Sequence, residues 1–505
     1  MTDSSPDDGV NRSKLSHGRE PTRREAARLL GAGLGLAAFG SAGLILPHRI
    51  ARAAGDSIAQ RALDGAAALK LSGKTIRIFH PAGMNSNFEP FVEQWRSATG
   101  IDVVASSVGY FDYHPKVVQS GITGGGDFDL IVDGPRYLGD LVAAGAILDL
   151  TDWIAKYKNV ISGAPDGYLS PMDKWSMSYK GRYYALAADG DPWVCCVRSD
   201  LLGDPAEKAA FEKKYGYPLE FPKTWEQYRD QAEFFTRPDK NLYGAVDVHS
   251  RNSGAYLWMA RYVSTKIPDA YYFDDDMHPL INSPEGIRTT ELYLAMKPFM
   301  NPDIANWDYT QQYPSWANGE AYAINYVVSI KKFSEGGDSK VKGKVKVGLV
   351  PGTMVDGKLN QRSILAFGNS ISVWAKSPIP EAAYLFAQWI TSPEMSGHAL
   401  QQPGYWDPFR IADIKNPLVR ESYGDETMDI YAETMARQVP DMQLEGVAEY
   451  YDALDRNLSA AWAGEKTAAD VVKETAAQWE EITDRIGRDR QVAQWRLVKA
   501  AYPVG

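Results

Sequence analysis

The residues that most often do chemistry in enzymes are present in this chain, but they lack the spacings that catalysis needs. No H-E-x-x-H or G-x-S-x-G motif occurs. Gly124-Gly125-Gly126 precedes a predicted strand and lacks the Lys-Ser/Thr of a phosphate-binding loop, so it is typical of a flexible turn. Metal-ligand spacing is also missing among the histidines after residue 53, which are His80, His114, His249, His278 and His398. The sequence therefore predicts neither a metal nor a cofactor.

Acidic side chains are a second set of candidates. Asp274-Asp275-Asp276 lacks the spaced oxygen ligands of a calcium loop and is interpreted as a solvated loop. A pair of carboxylates can hydrolyse glycosidic bonds. With 64 Asp and Glu residues in the chain, such a pair is compatible with the sequence. An exported carbohydrate-active enzyme therefore stays an alternative.

Aromatic side chains in predicted loops indicate binding more clearly. Trp193, Trp307, Trp316 and Trp406 are of this kind. Flat ring faces stack on the C–H patches of sugars, while carboxylates, amides and arginines bind the hydroxyl groups. Other tryptophans lie in helix-like segments and are assigned to packing: Trp95, Trp153, Trp225, Trp389, Trp462 and Trp479. The loops therefore favour a carbohydrate site.

The first fifty residues indicate export. Thr22-Arg23-Arg24 precedes an uncharged apolar run, 29–46, and the small-residue stretch Ala51-Arg52-Ala53 follows. This order is that of a secretory signal, and the adjacent arginines make it resemble a twin-arginine signal. We predict a cleaved signal over residues 1–53, with an uncleaved membrane anchor as the alternative. The twin-arginine export machinery is then a partner, and the product is soluble in the periplasm.

Charge and cysteine content limit the partners. The formal net charge of −10 becomes −13 without residues 1–53, which hold eight Lys/Arg and five Asp/Glu. Nucleic acids and anionic membranes bind basic surfaces, so no nucleic-acid partner is expected, and small neutral or cationic solutes fit better. The only cysteines, Cys195 and Cys196, are adjacent. On a strand they point to opposite faces, so two small buried side chains are expected and not a disulfide.

Strand and helix patterns alternate after the export signal. The Ala-rich segment 54–73 predicts a tether or a short helix. The alternation that follows predicts an α/β domain with a parallel sheet flanked by helices, its strands at 75–79, 101–108 and 128–133. Ligands in such sheets lie beyond the carboxyl ends of the strands, which here are the loops 80–87, 107–113 and 133–136.

A second α/β pattern follows residue 183. Thr224-Trp225-Glu226-Gln227 predicts a capping box that opens a helix, and Ser283-Pro284-Glu285 predicts another helix start. Residues 364–375 predict one strand, and 429–495 are expected to be helical almost throughout. The length of the chain and its alternating strand and helix patterns therefore predict two α/β units.

Several segments resemble one protein family. Each segment alone is a weak match, but together they are specific. They are Asp129-Leu130-Ile131-Val132, residues 141–150, Lys208-Ala209-Ala210-Phe211-Glu212-Lys213-Lys214-Tyr215-Gly216-Tyr217, residues 221–228, Trp316-Ala317-Asn318-Gly319-Glu320-Ala321, and Phe367-Gly368-Asn369-Ser370 with the residues that follow to 386. In order and spacing they resemble the extracellular solute-binding proteins of family 1, the sugar-binding receptors of ABC importers.

The resemblance implies a two-lobed periplasmic binding protein fold of type II. Each α/β lobe has a central sheet flanked by helices, and the ligand cleft lies at the hinge. Carried onto this sequence, the expected divisions are 74–188 plus 363–425 for lobe one, 189–350 plus 426–505 for lobe two, and crossings near 187–191 and 352–362.

The resemblance also implies a monomeric receptor that hands a small solute, expected to be a sugar or oligosaccharide, to a membrane permease without catalysis. The alternative within the class is a receptor for a polyol phosphate, a polyamine or a metal chelate. Matched by position, the expected ligand-binding residues are Asp133, Arg136, Asp191, Trp193, Trp258, Asn325, Tyr405, Trp406 and Arg410, with His80 and Asn85 from the first loop.

Overall fold

The computed structural model describes residues 56–249, 253–266 and 272–502. The predicted export signal and the alternative membrane anchor lie outside these residues. Among the helices that the structure describes, none is long and apolar enough to cross a membrane.

Strands and helices alternate over much of the described chain. The strands are β1 Thr75–Pro81, β2 Asp102–Val108, β3 Leu130–Asp133, β4 Ser178–Tyr179, β5 Arg182–Tyr183, β6 Leu186–Asp189, β7 Trp193–Arg198, β8 Tyr243–Ala245, β9 Ala321–Val327, β10 Val345–Gly348, β11 Thr353–Val355, β12 Lys358–Asn360, β13 Ser363–Leu365, β14 Asn369–Val373 and β15 Gln438–Pro440. The helices are α1 Ile58–Ala68, α2 Val92–Thr99, α3 Tyr110–Thr123, α4 Leu138–Ala143, α5 Thr151–Lys156, α6 Ser199–Gly203, α7 Pro205–Tyr215, α8 Trp225–Phe235, α9 Gly254–Tyr262, α10 Pro284–Leu294, α11 Tyr309–Ala317, α12 Ser329–Glu335, α13 Pro380–Ile390, α14 Pro393–Leu400, α15 Pro417–Tyr423, α16 Asp425–Ala436, α17 Val447–Ala463, α18 Ala468–Ile486 and α19 Arg488–Lys499.

The first sheet has the strand order β2-β1-β3-β14-β6. β1 pairs in parallel with β2 and β3, whereas β14 runs antiparallel to both β3 and β6. All four residues of β3 are buried, as expected for a central strand covered on both faces. The predicted parallel strands are confirmed, and they are completed by an antiparallel strand from much later in the chain.

The second sheet has the strand order β10-β7-β9-β8. β7 runs antiparallel to β9 and β10, and β8 is parallel to β9. Cys195 and Cys196 lie in β7, where both are free and fully buried because β7 is covered on both faces. Helix α18 packs on both α17 and α19. Helix α17 also packs on α9 and α10, and α18 also packs on α10.

The chain passes between the two sheets by short segments. The turn from β6 to β7 is one passage, and the stretch from β10 to β14 is another. β13 and β15 form a separate parallel pair outside the two main sheets. After β15 the chain continues into α17. The lobe boundaries given above remain a prediction.

The segment before β1 is a packed helix and not a tether. Ser57 caps α1 by accepting a hydrogen bond from the Gln60 N–H. Ala62 and Ala66 are fully buried where α1 packs against α13. A Cβ at Gly65 would lie 2.7 Å from the Tyr157 ring, so the small residues permit the close approach. Of the two alternatives predicted for 54–73, a tether or a short helix, the structure therefore has the short helix.

Two expectations need correction, and two are confirmed. The strand expected over 364–375 is divided into β13 and β14, because Gly368 takes a left-handed conformation with φ of 86°. The helical C-terminal part is interrupted by β15. The Thr224–Gln227 capping box and the Ser283 N-cap are both present.

Candidate ligand-binding cleft

Two adjoining cavities lie between the sheets. The first, here called the aromatic cavity, spans about 770 Å³ of space between the atoms, the open solvent at its mouth included. Its walls are Ala82, Met84, Asp189, Asp191, Trp193, Val248, Ser253, Tyr309, Tyr313, Tyr326, Val327, Ser329, Phe367, Asn369 and Tyr405. These residues follow strands of both sheets, so a molecule in this cavity touches both.

The rings of the aromatic cavity support one another. Trp193 stacks on Phe367 with centroids 5.7 Å apart, and Tyr326 lies 5.6 Å from Trp193. On the other side, the Tyr405 ring lies 5.8 Å from Tyr313 and approaches it edge to face. Such contacts between rings are favourable in themselves. The cavity wall is therefore preformed.

A cluster of three buried carboxyl groups, Asp189, Asp191 and Asp407, lies at the base of the aromatic cavity. Asp189 accepts hydrogen bonds from the Asp407 N–H and the Asn369 amide, both at 2.7 Å. Asp191 has a positive φ of 40°, a conformation that Asp tolerates better than most residues. This cluster, called the carboxyl cluster below, has oxygen atoms within 4.8 Å of one another, an arrangement that suits a hard cation.

Burial governs the charge of the carboxyl cluster. Burial first, and then the neighbouring Asp407 carboxylate, together raise the pKa of Asp189 to about 8. Burial also raises the pKa of Asp191 well above its usual range. Lys332 lies beside the cluster, where burial lowers its pKa and the Asp407 and Asp189 carboxylates oppose that effect. The three carboxyl groups of the cluster therefore have one amine, that of Lys332, beside them.

The second cavity, here called the polar cavity, encloses about 750 Å³ including its mouth. Asn369 lines both cavities, so the two adjoin. The walls of the polar cavity are Pro81, Tyr113, His114, Pro115, Asp133, Gly134, Arg136, Tyr137, Ala255, Tyr256, Asn369, Ala448 and Tyr451. They come from the ends of β1 and β3 on one side and from α9 and α17 on the other.

Arg136 links the two sides of the polar cavity. Its guanidinium is buried and donates a hydrogen bond of 2.7 Å to the Ala366 carbonyl. It also lies over the Tyr137 ring at 4.3 Å and over the Tyr256 ring at 5.2 Å. Such cation–π contacts hold the side chain in place and leave its charge near the cavity.

His114 and Asp133 form a buried ion pair at the edge of the polar cavity. Nδ1 of His114 lies 2.7 Å from the Asp133 carboxylate, and Nε2 lies 3.7 Å from the Asp140 carboxylate. Burial alone would lower the pKa of His114, but the Asp133 charge and hydrogen bond outweigh it and raise the pKa to about 10. The imidazole is therefore a cation that donates to Asp133 at neutral pH.

The structure brings five of the predicted ligand-binding residues to the cavities. Asp133 and Arg136 line the polar cavity, and Asp191, Trp193 and Tyr405 line the aromatic cavity. The predicted loops 80–87 and 133–136 also reach the cavities, through Ala82 and Met84 and through Gly134. These placements agree with a ligand site at the carboxyl ends of the strands.

Two lobe-two residues expected at the site lie in the core instead. Trp258 is fully buried in α9, where its Nε1 donates 2.8 Å to Thr290. Asn325 is fully buried in β9, and its backbone N–H donates 2.8 Å to Asp247. The register of β9 brings the next two residues, Tyr326 and Val327, to the aromatic cavity.

Trp406 and Arg410 are also structural. Trp406 is fully buried and packs against Phe88 and Phe409. Arg410 donates 2.7 Å to the Thr391 carbonyl and lies 3.6 Å over the Tyr168 ring. Both side chains hold the loop after α14 in place, and the neighbouring Tyr405 is the one that faces the aromatic cavity.

The first predicted loop, 80–87, lines the aromatic cavity with other residues than the two expected. His80 is buried and its Nδ1 lies 2.7 Å from the Pro81 carbonyl, while Asn85 donates 2.9 Å to Glu89. Both side chains are thus engaged within the loop. Ala82 and Met84 line the aromatic cavity in their place.

Several cavity residues were missed from the sequence. They are Asp189, Tyr309, Tyr313, Tyr326, Phe367 and Asn369 in the aromatic cavity, and His114, Tyr137, Tyr256 and Tyr451 in the polar cavity. One signal was available, because Tyr309 and Tyr313 have the i, i+4 spacing that places two side chains on one face of a helix. The others depend on how strands from distant parts of the chain come together.

Comparisons with known proteins agree with this architecture. The profile of the bacterial extracellular solute-binding proteins matches residues 81–396, and the chain belongs to that family. A ribitol-bound ABC transporter solute-binding protein of Agrobacterium radiobacter K84 has the same two-lobed type II fold, with a TM-score of 0.69 and 19% identity over 82% of this chain and 99% of that one.

Two curated relatives are similar in sequence. The erythritol/L-threitol-binding protein of Mycolicibacterium smegmatis is 21% identical over 68% of this chain and 71% of its own length. The maltotriose-binding protein of Pyrococcus abyssi is 24% identical over 55% of this chain and 59% of its own. The resemblance drawn from the sequence motifs is therefore confirmed at the level of family and fold.

Proposed function

We propose that this protein is the receptor of an ABC importer, which binds a sugar or polyol between its lobes and passes it unchanged to the permease. The observation that carries the proposal is the position of the two cavities between the sheets. A ligand there contacts both lobes at once, and it stabilises the closed arrangement because those contacts exist only when both lobes are in place.

The chemistry of the cavities supports a polyhydroxylated ligand. The aromatic cavity offers ring faces for C–H patches, and Asp189, Asp191 and Asn369 offer polar atoms for hydroxyl groups. The named relatives bind erythritol, L-threitol and maltotriose, and the structural relative holds ribitol. These ligands range from a four-carbon polyol to a trisaccharide, so a panel of both kinds is the appropriate probe.

The cellular setting is part of the same proposal. Residues 1–53 act as a twin-arginine signal, and the receptor is released as a soluble monomer into the periplasm, where the membrane permease is its partner. No catalytic step is involved. The described carboxyl groups at the cavity are buried and engaged with neighbouring donors, which suits binding.

Thermal unfolding with a ligand panel tests this function. The panel contains erythritol, L-threitol, ribitol, mannitol, maltose and maltotriose. A ligand at a hundredfold excess over its Kd should add about 2.7 kcal/mol to the free energy of unfolding. Chromatography of the recovered ligand should find it unchanged. Product formation would identify an enzyme instead, and no response to these solutes or to amino derivatives of sugars and polyols would reject a sugar or polyol receptor.

A further inference from the structure

We propose that the solute bound in the aromatic cavity carries a protonated amine, so that the natural ligand is an amino sugar or an amino polyol. This inference rests on the proposed function, since it specifies the class of solute within it. The argument uses the carboxyl cluster at the cavity base, the rings around it and one unsatisfied donor in its wall.

The carboxyl cluster has more potential negative charge than its surroundings balance. The basic side chain beside it is Lys332, whose Nζ donates to the carbonyls of Trp406 at 3.2 Å and Leu400 at 3.4 Å. The other groups that face the cluster are hydroxyls and an N–H: Tyr423 donates to Asp407, Ser329 N–H donates to Asp407, and Tyr313 and Tyr431 lie nearby. Burial therefore favours the protonated forms of Asp189 and Asp191, and a cationic ligand would supply the counter-charge that lets Asp189 ionise.

The carboxyl oxygens retain room for further donors. An ionised carboxylate accepts about four hydrogen bonds. Asp189 accepts two from the protein, whereas Asp191 accepts one from the Gly368 N–H and shares a hydrogen bond with the Asp407 carboxyl group. Both side chains line the cavity. An ammonium group has three donors and no acceptor, which matches what these two residues offer.

The rings of the cavity favour the same group. Six aromatic side chains line it, namely Trp193, Tyr309, Tyr313, Tyr326, Phe367 and Tyr405. The faces of Trp and Tyr rings attract cations, most strongly where water is excluded. A cavity with rings on its walls and carboxyl groups at its base therefore selects a cation over a neutral group of the same size.

One donor in the wall lacks an acceptor. Trp193 is 1% exposed, and its Nε1 has no hydrogen-bond partner among the described residues. A buried N–H without an acceptor costs free energy, and a ligand oxygen that reached Nε1 would remove that cost. Ammonium and hydroxyl groups on one small molecule define an amino sugar or amino polyol.

A divalent metal ion fits the carboxyl cluster less well. Ca²⁺ takes six to eight oxygen ligands. Here Asp189 and Asp407 already accept from N–H and O–H groups, and the Lys332 charge lies beside them. An amine also predicts proton release on binding, because Asp189 is largely protonated near pH 7 and a nearby cation favours its ionised form.

Calorimetric titration with matched pairs tests the inference. The pairs are D-glucitol with 1-amino-1-deoxy-D-glucitol, D-glucose with D-glucosamine, and D-galactose with D-galactosamine. At pH 7 the amine of at least one pair should bind ten times more tightly than its neutral partner. Its binding enthalpy should change between buffers of different ionisation enthalpy, since protons are released. Asp189→Asn should remove this preference, whereas Asp152→Asn, at an exposed position in α5, should keep it.

The outcomes separate the two proposals. If neutral members of these pairs or of the sugar panel bind as tightly as the amines or more tightly, the inference is wrong and the receptor function stands. If no amine binds, the inference is also wrong. If nothing in either panel binds, the receptor function itself is rejected. CaCl₂ binding alone, abolished by Asp189→Asn, would assign the carboxyl cluster to a metal instead.

Discussion

The Asp191 carboxylate accepts a hydrogen bond from the Gly368 N–H, with 3.1 Å between Oδ2 and N. Asp191 lies on the passage from β6 to β7, and Gly368 lies on the return to the first sheet just before β14. One side chain therefore joins two passages between the sheets and also lines the aromatic cavity. A ligand that contacts Asp191 is coupled directly to the segments about which the lobes would move.

Replacing Asp191 should remove ligand-induced stabilisation. In Asp191→Ala the cavity loses a carboxyl group and the Gly368 N–H loses its acceptor. We expect the gain of about 2.7 kcal/mol at a hundredfold excess of ligand over Kd to disappear. Thermal unfolding with and without the best ligand of the panel measures this.

Asp152→Ala provides the matched control, because Asp152 is an exposed acid in α5. That variant should keep the full ligand response. If Asp191→Ala responded to ligand as strongly as the control, the assignment of the aromatic cavity as the binding site would be wrong.

Trp193 and Trp258 should separate binding from packing. Trp193→Ala removes a wall of the aromatic cavity and should raise the Kd at least tenfold. Trp258→Ala empties a core position and removes the bond to Thr290, so it should lower the free energy of unfolding by about 3–5 kcal/mol. Its Kd, measured well below its melting temperature, should stay within threefold of wild type. A reversal of these two effects would contradict the placement of the residues.

His114 should make stability depend on pH in the alkaline range. Its folded pKa of about 10 exceeds the ordinary value of 6.5 because of Asp133. The stabilisation is therefore complete below about pH 6.5 and is lost as the pH rises through about 10. NMR of the imidazole nitrogens should find His114 protonated at pH 8. A titration midpoint near 6.5 would contradict the buried ion pair, and His114→Gln should flatten the alkaline loss of stability.

Asp441 should make stability depend on pH in the acidic to neutral range, again with a loss of stability as the pH rises. Burial raises its pKa to about 7, although the Met442 N–H and the Arg136 charge partly oppose this, and its Oδ2 has no partner in the described part of the chain. A raised folded pKa means that stability is lost as the pH rises from about 4 to 7. Asp441→Asn should therefore be more stable than wild type at pH 8 and differ little at pH 4. Equal differences at both pH values would refute the assignment.

The packed helix α1 can be tested with two neighbouring alanines. Ala66 is fully buried against α13, whereas Ala67 is exposed. Ala66→Asp buries a charge and should cost about 2 kcal/mol or more, while Ala67→Asp should cost less than about 1 kcal/mol. Both changes place the same charge in the last turn of the helix, so the difference reports burial. Equal melting temperatures of the two variants would contradict the burial of Ala66 and favour the tether alternative.

The elements of local origin could be predicted from sequence, whereas the site was predicted only in part. The Thr224 capping box and the β1 strand follow from residues close together in the chain. Trp258 and Asn325 lie in the core, because helix and strand rotation decide which neighbouring side chain faces the cavity. Asp189 and Asp407 lie 218 positions apart and meet only through tertiary packing. No local pattern reveals such a cluster.

A crystal structure with the tightest-binding solute tests the central claim most directly. The account predicts that the solute lies between the two sheets in the aromatic cavity, within hydrogen-bond distance of Asp189 or Asp191 and against the Trp193 ring. A solute bound elsewhere, or one that contacts a single sheet, would contradict the proposed receptor site.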